Sequence, residues 1–273
     1  MISEPYPELD DLLMMMGEAG QHLAEMEASE GAAGKISVCL RWRIELRTRF
    51  PVVDKIELPQ PVPELAGATL LVSGSGRRLR EIIIDPTVNI ACVVIDEGGL
   101  TGKQYTSYMR RFDQVTSEFN SHLAVHYDQM VTTRTNFHAV VHAQPLHLTF
   151  LSHIPVYQDE RYLNTHLLRW QPETILNLPE GIGFIPFEIP GSPALMSANE
   201  VCLRQYRVVL WAKHGVMARS DVSIKRAADR VEYAETAAKY EYLNLTTGGL
   251  GTGLSVEEIK SICERFGVKQ NIF

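Results

Sequence analysis

The sequence predicts a layered α/β or α+β domain built around one sheet. Apolar runs of strand length alternate with segments whose apolar residues recur at helical spacing. Glycine and proline separate these segments, and no internal repeat, low-complexity tract or linker interrupts the 273 residues. Hydrophobic residues make up 45% of the chain, which is enough to fill a sizeable core. We therefore expect a single domain over residues 1–273.

The predicted elements begin with a helix over Leu9 to Glu27, where apolar residues recur every three or four positions. Glycine and alanine at residues 31–34 end this segment before the first strand. Because the strand candidates are short apolar runs bounded by turn residues, we assign five of them: Ile36–Leu40, Thr69–Ser73, Ile90–Ile95, Phe137–His142 and Val208–Trp211.

Capping residues indicate where the middle helices begin. Thr116 or Ser117 suits the N-cap of a helix that runs through Met130, which would place Glu118 in the first turn. Pro145 suits the first turn of the next helix, because its missing N–H costs nothing there.

Two more helices are predicted near the C-terminus. Ser220 or Asp221 is expected to cap a long helix that ends at the glycine pair 248–249. Ser255 and Glu258 form a capping box, which predicts the start of the last helix.

Composition limits the classes of partner. The formal net charge is −7 and no basic block is present, which argues against nucleic acid or an anionic membrane surface as a partner. No apolar run approaches the roughly 20 residues of a bilayer-spanning helix, and the acidic, proline-containing start does not resemble a signal peptide. The four cysteines lie far apart, which favours buried thiols in a reducing cytoplasm: Cys39, Cys92, Cys202 and Cys263.

Three chain-distant residues have side chains that suit a metal or catalytic site. Glu118 lies at a predicted helix start, while His142 and His214 each end an apolar strand. Each feature alone is common, since a lone histidine after a strand is usually a loop residue and a first-turn glutamate usually complements the helix dipole. Four other histidines lie within predicted helices and are interpreted as structural: His22, His122, His126 and His166.

Several motifs in a fixed order are more specific than any single residue. They are Ser73-Gly74-Ser75-Gly76, Thr116-Ser117-Glu118, Val141-His142-Ala143-Gln144-Pro145, Pro190-Gly191-Ser192 and Leu210-Trp211-Ala212-Lys213-His214-Gly215. Together they resemble the class II aldolase/adducin family, and within it most closely the rhamnulose-1-phosphate aldolases. The resemblance runs from about residue 31 to residue 268 and so covers most of the chain.

The resemblance implies a single three-layer domain whose central, largely antiparallel sheet is flanked by helices, usually assembled as a homotetramer. It also implies a role for each matching residue. The catalytic positions match Glu118 and, across a subunit interface, Glu173. The metal positions match His142, Gln144, His214 and Glu118, and the phosphate-binding positions match Ser75, Gly76, Thr116, Ser117 and Lys35.

The implied chemistry is cleavage of a ketose 1-phosphate, such as rhamnulose 1-phosphate, to dihydroxyacetone phosphate and a short aldehyde. Zn²⁺ held by neutral imidazoles would stabilise an enediolate, and Glu118 would move a proton. Two alternatives remain open at this point. One is an epimerase or decarboxylase that uses the same metal site, and the other is a non-catalytic, adducin-like binding protein.

Three positions, in two parts of the chain, depart from the family pattern. Gln144 replaces the second histidine of an H-x-H pair, which favours a harder ion such as Mn²⁺ or Mg²⁺, or recruitment of His147 as a ligand. Ala32 and Lys35 replace two asparagines near the phosphate. Lysine is a common phosphate partner, so Lys35 is expected either to bind that group or to lie in solvent.

Overall fold

The computed structural model describes residues 1–273, and all nine of its strands belong to one sheet. The strands are β1 (Lys35–Leu40), β2 (Val52–Glu57), β3 (Thr69–Ser73), β4 (Ile90–Ile95), β5 (Thr101–Thr106), β6 (Phe137–Ala143), β7 (Gly183–Ile185), β8 (Val208–Trp211) and β9 (Gly215–Ser220). Their order across the sheet is β2-β5-β4-β3-β1-β6-β9-β8-β7. Every neighbouring pair except β7–β8 is antiparallel, so the expected sheet is confirmed.

Helices cover both faces of this sheet. They are α1 (Leu9–Glu25), α2 (Leu79–Ile82), α3 (Pro86–Asn89), α4 (Phe119–Thr133), α5 (Leu146–Leu151), α6 (Glu160–Leu167), α7 (Pro172–Asn177), α8 (Pro193–Gln205), α9 (Ile224–Thr246) and α10 (Val256–Phe266). No helix is both long enough and apolar enough to cross a membrane.

The two faces of β1 and β6 carry different side chains. Ile36 and Val141 belong to the large core that includes α1 and α9. Cys39 and Val140 instead pack into the smaller clusters that include α4. Because side chains alternate along a strand, Lys35, Ser37, His138, His142 and Gln144 lie on the α4 side of the sheet. The α4 side therefore collects the polar residues of the two central strands.

Helix capping follows the sequence in part. Ser255 and Glu258 form the predicted capping box of α10. The expected caps of α9, Ser220 and Asp221, are wrong, because β9 continues to Ser220 and the Ser223 hydroxyl accepts from Arg226 N instead.

Several strands lie outside the sequence prediction. The edge strand β2 is mostly exposed, and β5 beside it has the polar sequence TGKQYT, so neither shows an apolar run. Strand β7 has only 3 residues. Strand β9 follows β8 after a tight turn, in a segment for which the sequence predicted no strand.

The cysteines form no disulfides, and Cys39, Cys92 and Cys263 are buried. Cys202 is only partly buried, which departs from the expectation of four buried thiols.

Candidate metal and catalytic site

Glu118, His142 and His214 meet at one end of the sheet. One ligand atom from each side chain can be chosen so that all three lie within 4.8 Å of one another. His142 Nδ1 hydrogen-bonds to Glu118 Oε2, and His214 Nε2 lies 3.5 Å from Glu118 Oε1. Glu118 and His142 are buried, and His214 is partly exposed, so solvent or a substrate reaches the group from the His214 side.

Glu118 occupies the N-cap position of α4. The expected placement in the first turn is therefore wrong by one position, because α4 begins at Phe119. Thr116, one of the two predicted caps, supports Glu118 instead, since its hydroxyl accepts from the Glu118 N–H at 3.3 Å. This contact fixes the backbone from which the carboxylate extends.

His214 lies in the turn between β8 and β9. Lys213, the preceding residue, adopts a left-handed backbone with φ 63°. A Cβ on Gly215 would lie 2.5 Å from the Ala143 carbonyl oxygen, so no side chain fits at that position. This close approach brings the turn against the end of β6, where His142 lies. Trp211 packs against the rings of both histidines, with centroid distances of 4.6 Å to His142 and 5.1 Å to His214.

Gln144 lies beside His142 and is 7% exposed. Its Nε2 donates to the Ala33 carbonyl at 3.3 Å and lies 2.9 Å from His142 Nε2. The Ala33 contact decides which amide atom is the nitrogen, because a carbonyl oxygen there would face another acceptor. Gln144 Oε1 is consequently buried without a hydrogen-bond partner, and so is His214 Nδ1.

This donor set fits a divalent cation. The buried Gln144 Oε1 is costly without a partner, and its side chain contacts His142, one of the two imidazoles near the Glu118 carboxylate. Two nitrogen and two oxygen donors suit Mn²⁺, Fe²⁺ or Zn²⁺. The four residues that could hold such an ion are Glu118, His142, Gln144 and His214.

The protonation states of Glu118 and His214 suit metal binding. Burial alone would raise the pKa of Glu118, but the charge and hydrogen bond of His142, together with His122 and His214, lower this pKa to about 2. Burial lowers the pKa of His214 to about 4. At neutral pH Glu118 is therefore a carboxylate and His214 a neutral imidazole, as metal ligation and proton abstraction both require.

Lys35 is buried against the same site, so the alternative that it lies in solvent is wrong. It pairs with His142 across the β1–β6 ladder, and its Nζ donates to the Ala32 carbonyl. Burial lowers the pKa of Lys35, while the Glu118 carboxylate opposes this effect. Lys35 thus places an amine donor next to the proposed base.

Four residues matched to phosphate positions lie on two neighbouring segments. Ser75 N donates to Gln114 O at 2.8 Å, and Thr116 N donates to Ser73 O at 3.1 Å. The two segments therefore run side by side, with Gly76 and Ser117 exposed and Thr116 buried. A neighbouring cavity of about 570 Å³ is lined in part by Lys55, Arg110, Thr116 and Ser117. These segments lead directly into Glu118, so a phosphate bound on them would lie close to the metal group.

Two further candidates lie elsewhere. Glu173 is exposed in the first turn of α7 and does not belong to the group around Glu118. His147 contacts Glu235 through its backbone N–H, at 2.9 Å, and through its Nδ1, at 2.7 Å. This contact caps α5, so the structure does not place His147 as a metal ligand.

Sequence reasoning missed part of the surroundings of Glu118. His122 and His126 follow Glu118 at intervals of four along α4, and His138 and His142 alternate with Val140 on β6. The sequence contains one signal for this arrangement. Polar residues repeat every four positions along the helix and every two positions along the strand, which places each set on one face of its element. Histidines within helices are usually structural, so this spacing alone does not assign them to a site.

Comparison with known proteins identifies the family of the chain. The profile of the Class II Aldolase and Adducin N-terminal domain matches residues 15–242. The rhamnulose-1-phosphate aldolase of Enterobacter sp. (strain 638) is 27% identical over 213 residues, which is 78% of this chain and 76% of the relative.

Solved structures give the same result. A sugar-phosphate aldolase from Thermotoga maritima is 29% identical with a TM-score of 0.75, covering 90% of this chain and 99% of that chain. An L-fuculose 1-phosphate aldolase shares the fold at 20% identity and a TM-score of 0.59, covering 98% of both chains. These relatives are named aldolases, in agreement with the prediction of a lyase-type enzyme. The chain belongs to the class II aldolase and adducin family, as its ordered motifs predicted.

Proposed function

We propose that this protein is a metal-dependent aldolase that cleaves a ketose 1-phosphate to dihydroxyacetone phosphate and a short aldehyde such as lactaldehyde. The observation that carries the proposal is the meeting of Glu118, His142 and His214 from three distant segments of the chain. The named relatives support the substrate class, since they include a rhamnulose-1-phosphate aldolase and an L-fuculose 1-phosphate aldolase.

The proposed metal is a single divalent cation held by Glu118, His142, His214 and the amide oxygen of Gln144. The cation would supply Lewis acidity that stabilises negative charge on the enediolate oxygens of the substrate. Gln144 makes the donor set harder than three imidazoles would, which favours an ion such as Mn²⁺ or Mg²⁺ relative to Zn²⁺. The unpaired Gln144 Oε1 supports its inclusion.

The proposed chemistry moves one proton from oxygen to carbon. In cleavage, a base takes the proton of the C4 hydroxyl, the C3–C4 bond breaks, and the aldehyde leaves while its former bonding electrons remain on C3 as an enediolate. Glu118, a carboxylate at neutral pH, takes up one proton from solvent and transfers it to C3, which gives dihydroxyacetone phosphate. In synthesis the Glu118 carboxylate removes the proton from C3. Because the pKa of Glu118 is low, Glu118 is a weak base, and the removal is possible only when the C3 proton has been made more acidic.

Glu173 is proposed as the group that exchanges a proton with the aldehyde oxygen. Because Glu173 is exposed and lies outside the group around Glu118, this role requires a neighbouring subunit. The proposal therefore includes a homotetramer, working in the cytoplasm. The phosphate is proposed to bind at Ser75, Gly76, Thr116, Ser117 and Lys35.

A direct assay tests the proposed reaction. Purified protein is incubated with rhamnulose 1-phosphate and with fuculose 1-phosphate, and dihydroxyacetone phosphate is measured by a coupled dehydrogenase. Turnover of one of them that disappears with a chelator and returns with Mn²⁺ or Zn²⁺ is the expected result. Unchanged turnover after complete metal removal would rule out the mechanism, and product NMR distinguishes cleavage from epimerisation or decarboxylation.

A further inference from the structure

Three histidines and one serine form an unbroken hydrogen-bonded chain beneath α4. His122 Nδ1 and His126 Nε2 both lie 2.7 Å from the Ser37 hydroxyl oxygen, and His126 Nδ1 lies 2.8 Å from His138 Nδ1. All four side chains have an exposed fraction of 0%. We call these four residues the histidine chain. Burying so many polar atoms costs free energy unless they are hydrogen-bonded to one another, and nothing in the proposed mechanism has used this network.

The histidine chain begins next to the proposed catalytic base. Glu118, His122 and His126 are spaced by four residues, so they lie along one face of α4. Ser37 and His138 lie on the sheet surface opposite that face, on β1 and β6. The backbone N–H of His122 donates to the Glu118 carbonyl at 3.1 Å. The chain thus runs from the site end of α4 toward the far end of β6.

Counting hydrogens leaves only two arrangements. Ser37 has one hydroxyl hydrogen, so it donates to one of its two imidazoles and accepts from the other. A neutral imidazole has one N–H, so each choice at Ser37 fixes the tautomers of the remaining rings. In either arrangement all bonds of the chain point in the same direction. The two outer nitrogens, His122 Nε2 and His138 Nε2, are buried without partners, and in each arrangement one of them has a hydrogen while the other is bare.

The imidazoles are neutral at physiological pH. Burial lowers the pKa of His122 to about 3 and the pKa of His138 to about 3. Burial, reinforced by its histidine neighbours, also lowers the pKa of His126 well below its ordinary value.

The charges at the two ends select one direction. At the His122 end the Glu118 carboxylate favours an N–H and has the largest effect among the neighbouring charges, whereas His142 and Lys35 oppose it. The guanidinium groups of Arg219 and Arg230 act on His138 at the other end and favour a bare nitrogen there. Both ends therefore prefer the same arrangement.

We propose that the histidine chain is a positioning element for Glu118, in which three neutral imidazoles and the serine hydroxyl all donate toward the Glu118 end. His138 then has its hydrogen on Nδ1, whereas His126 and His122 have theirs on Nε2. The aligned dipoles present their positive end to the carboxylate, which holds Glu118 ionised and in place. The catalytic consequence rests on the proposed role of Glu118, but the direction of the chain does not.

The direction is measured by ¹⁵N NMR of the full-length, chelator-treated protein labelled at histidine. Two-bond correlations in the imidazole rings report which nitrogen is protonated. The expected result at pH 7 is three neutral rings, with the Nδ1–H form for His138 and the Nε2–H form for His126 and His122. The reverse set of tautomers, or a charged ring among the three, would overturn the proposal.

The link to Glu118 is measured with a matched set of variants. Ser37→Ala breaks the chain at its centre and should lower kcat about 10-fold while KM changes less than 2-fold, and Ser37→Thr should restore most of the loss by returning a hydroxyl. Ser121→Ala is the control, because Ser121 is buried on α4, the helix of His122 and His126, and its hydroxyl has no hydrogen-bond partner. Equal losses in Ser37→Ala and Ser121→Ala would refute a positioning role. A wild-type protein with the expected tautomers but no aldolase turnover would count against the aldolase proposal and still support the direction of the chain.

Discussion

Lys35 and Gln144 donate hydrogen bonds to adjacent carbonyl groups of one loop, Ala32 O and Ala33 O. Lys35 pairs with His142 across the ladder, and Gln144 follows two residues after His142, so both lie on the same side of the sheet. These are two of the positions that depart from the family pattern in the sequence. The structure shows that they form one local unit, which suggests that the two replacements depend on each other.

A double-mutant cycle tests this dependence. Gln144→His should raise Zn²⁺ affinity about 10-fold or more, because imidazole is a better zinc ligand than an amide oxygen. Lys35→Asn and the double variant complete the cycle, and a coupling free energy of roughly 0.5 kcal/mol or more is expected for residues that share a partner loop. Affinities are read by competition with a chromophoric chelator. Unchanged affinity in Gln144→His would place residue 144 outside the ligand sphere, and additive effects would make the two replacements independent.

Replacing Glu118 tests the proposed base. Glu118→Gln should lower kcat by about 10² or more, the scale of a lost general base, while folding is retained. Circular dichroism checks the fold and the coupled assay measures turnover. Glu64→Gln is the matched control. Glu64 is an exposed carboxylate that accepts a hydrogen bond from Tyr127, a residue of α4, the helix that follows Glu118. Wild-type turnover in Glu118→Gln would show that Glu118 has another role.

Replacing Glu173 tests whether the site is shared between subunits. Glu173→Gln should lower kcat about 10-fold or more without changing the molecular mass in solution, since Glu173 is exposed in the single chain and makes no contact with the Glu118 group there. Light scattering gives the mass. A monomer that retains full turnover would remove Glu173 from the mechanism.

Much of the site could be inferred from the sequence because its residues lie at the ends of strongly patterned elements. The apolar runs predict β6 and β8, so His142 and His214 could be placed at strand ends before any coordinates. The position of Lys35 could not be inferred. A lysine after a glycine-rich loop suits solvent equally well, and only the pairing of β1 with β6 buries it beside His142.

The remaining differences have a common physical cause. The edge strand β2 and its neighbour β5 have little apolar surface to bury, so hydrophobic periodicity does not detect them. The turn that presents His214 joins β8 to β9 because Gly215 lets the backbone approach Ala143, a contact between residues distant in sequence. Such tertiary contacts, including those of the histidine chain, are only weakly reflected in the local pattern of apolar and polar residues in the sequence.

Buried neutral histidines predict a specific loss of stability in acid. The pKa of His138 is about 3 in the folded chain and that of His126 is also well below its ordinary value, whereas both are near 6.5 when unfolded. The unfolded chain therefore binds more protons between pH 6.5 and pH 3, so stability is lost as pH falls through this window. Each histidine should contribute about 1.4 kcal/mol per pH unit below pH 6.

Urea unfolding at pH 6.5 and pH 5, with chelator and at fixed protein concentration, measures this loss. His138→Gln should have a shallower dependence, by about one proton, than the wild type. Equal unfolding free energies at the two pH values would mean that these rings take up protons as readily in the folded chain as in the unfolded chain.

Calorimetric titration of chelator-stripped protein with Mn²⁺ and with Zn²⁺ tests the metal site most directly. We predict one ion bound per chain, with binding lost in His214→Ala and in His142→Ala but retained in His147→Ala, because His147 contacts Glu235 instead. Binding that survives the loss of both His142 and His214, or no binding to the wild type, would contradict a site at Glu118, His142 and His214.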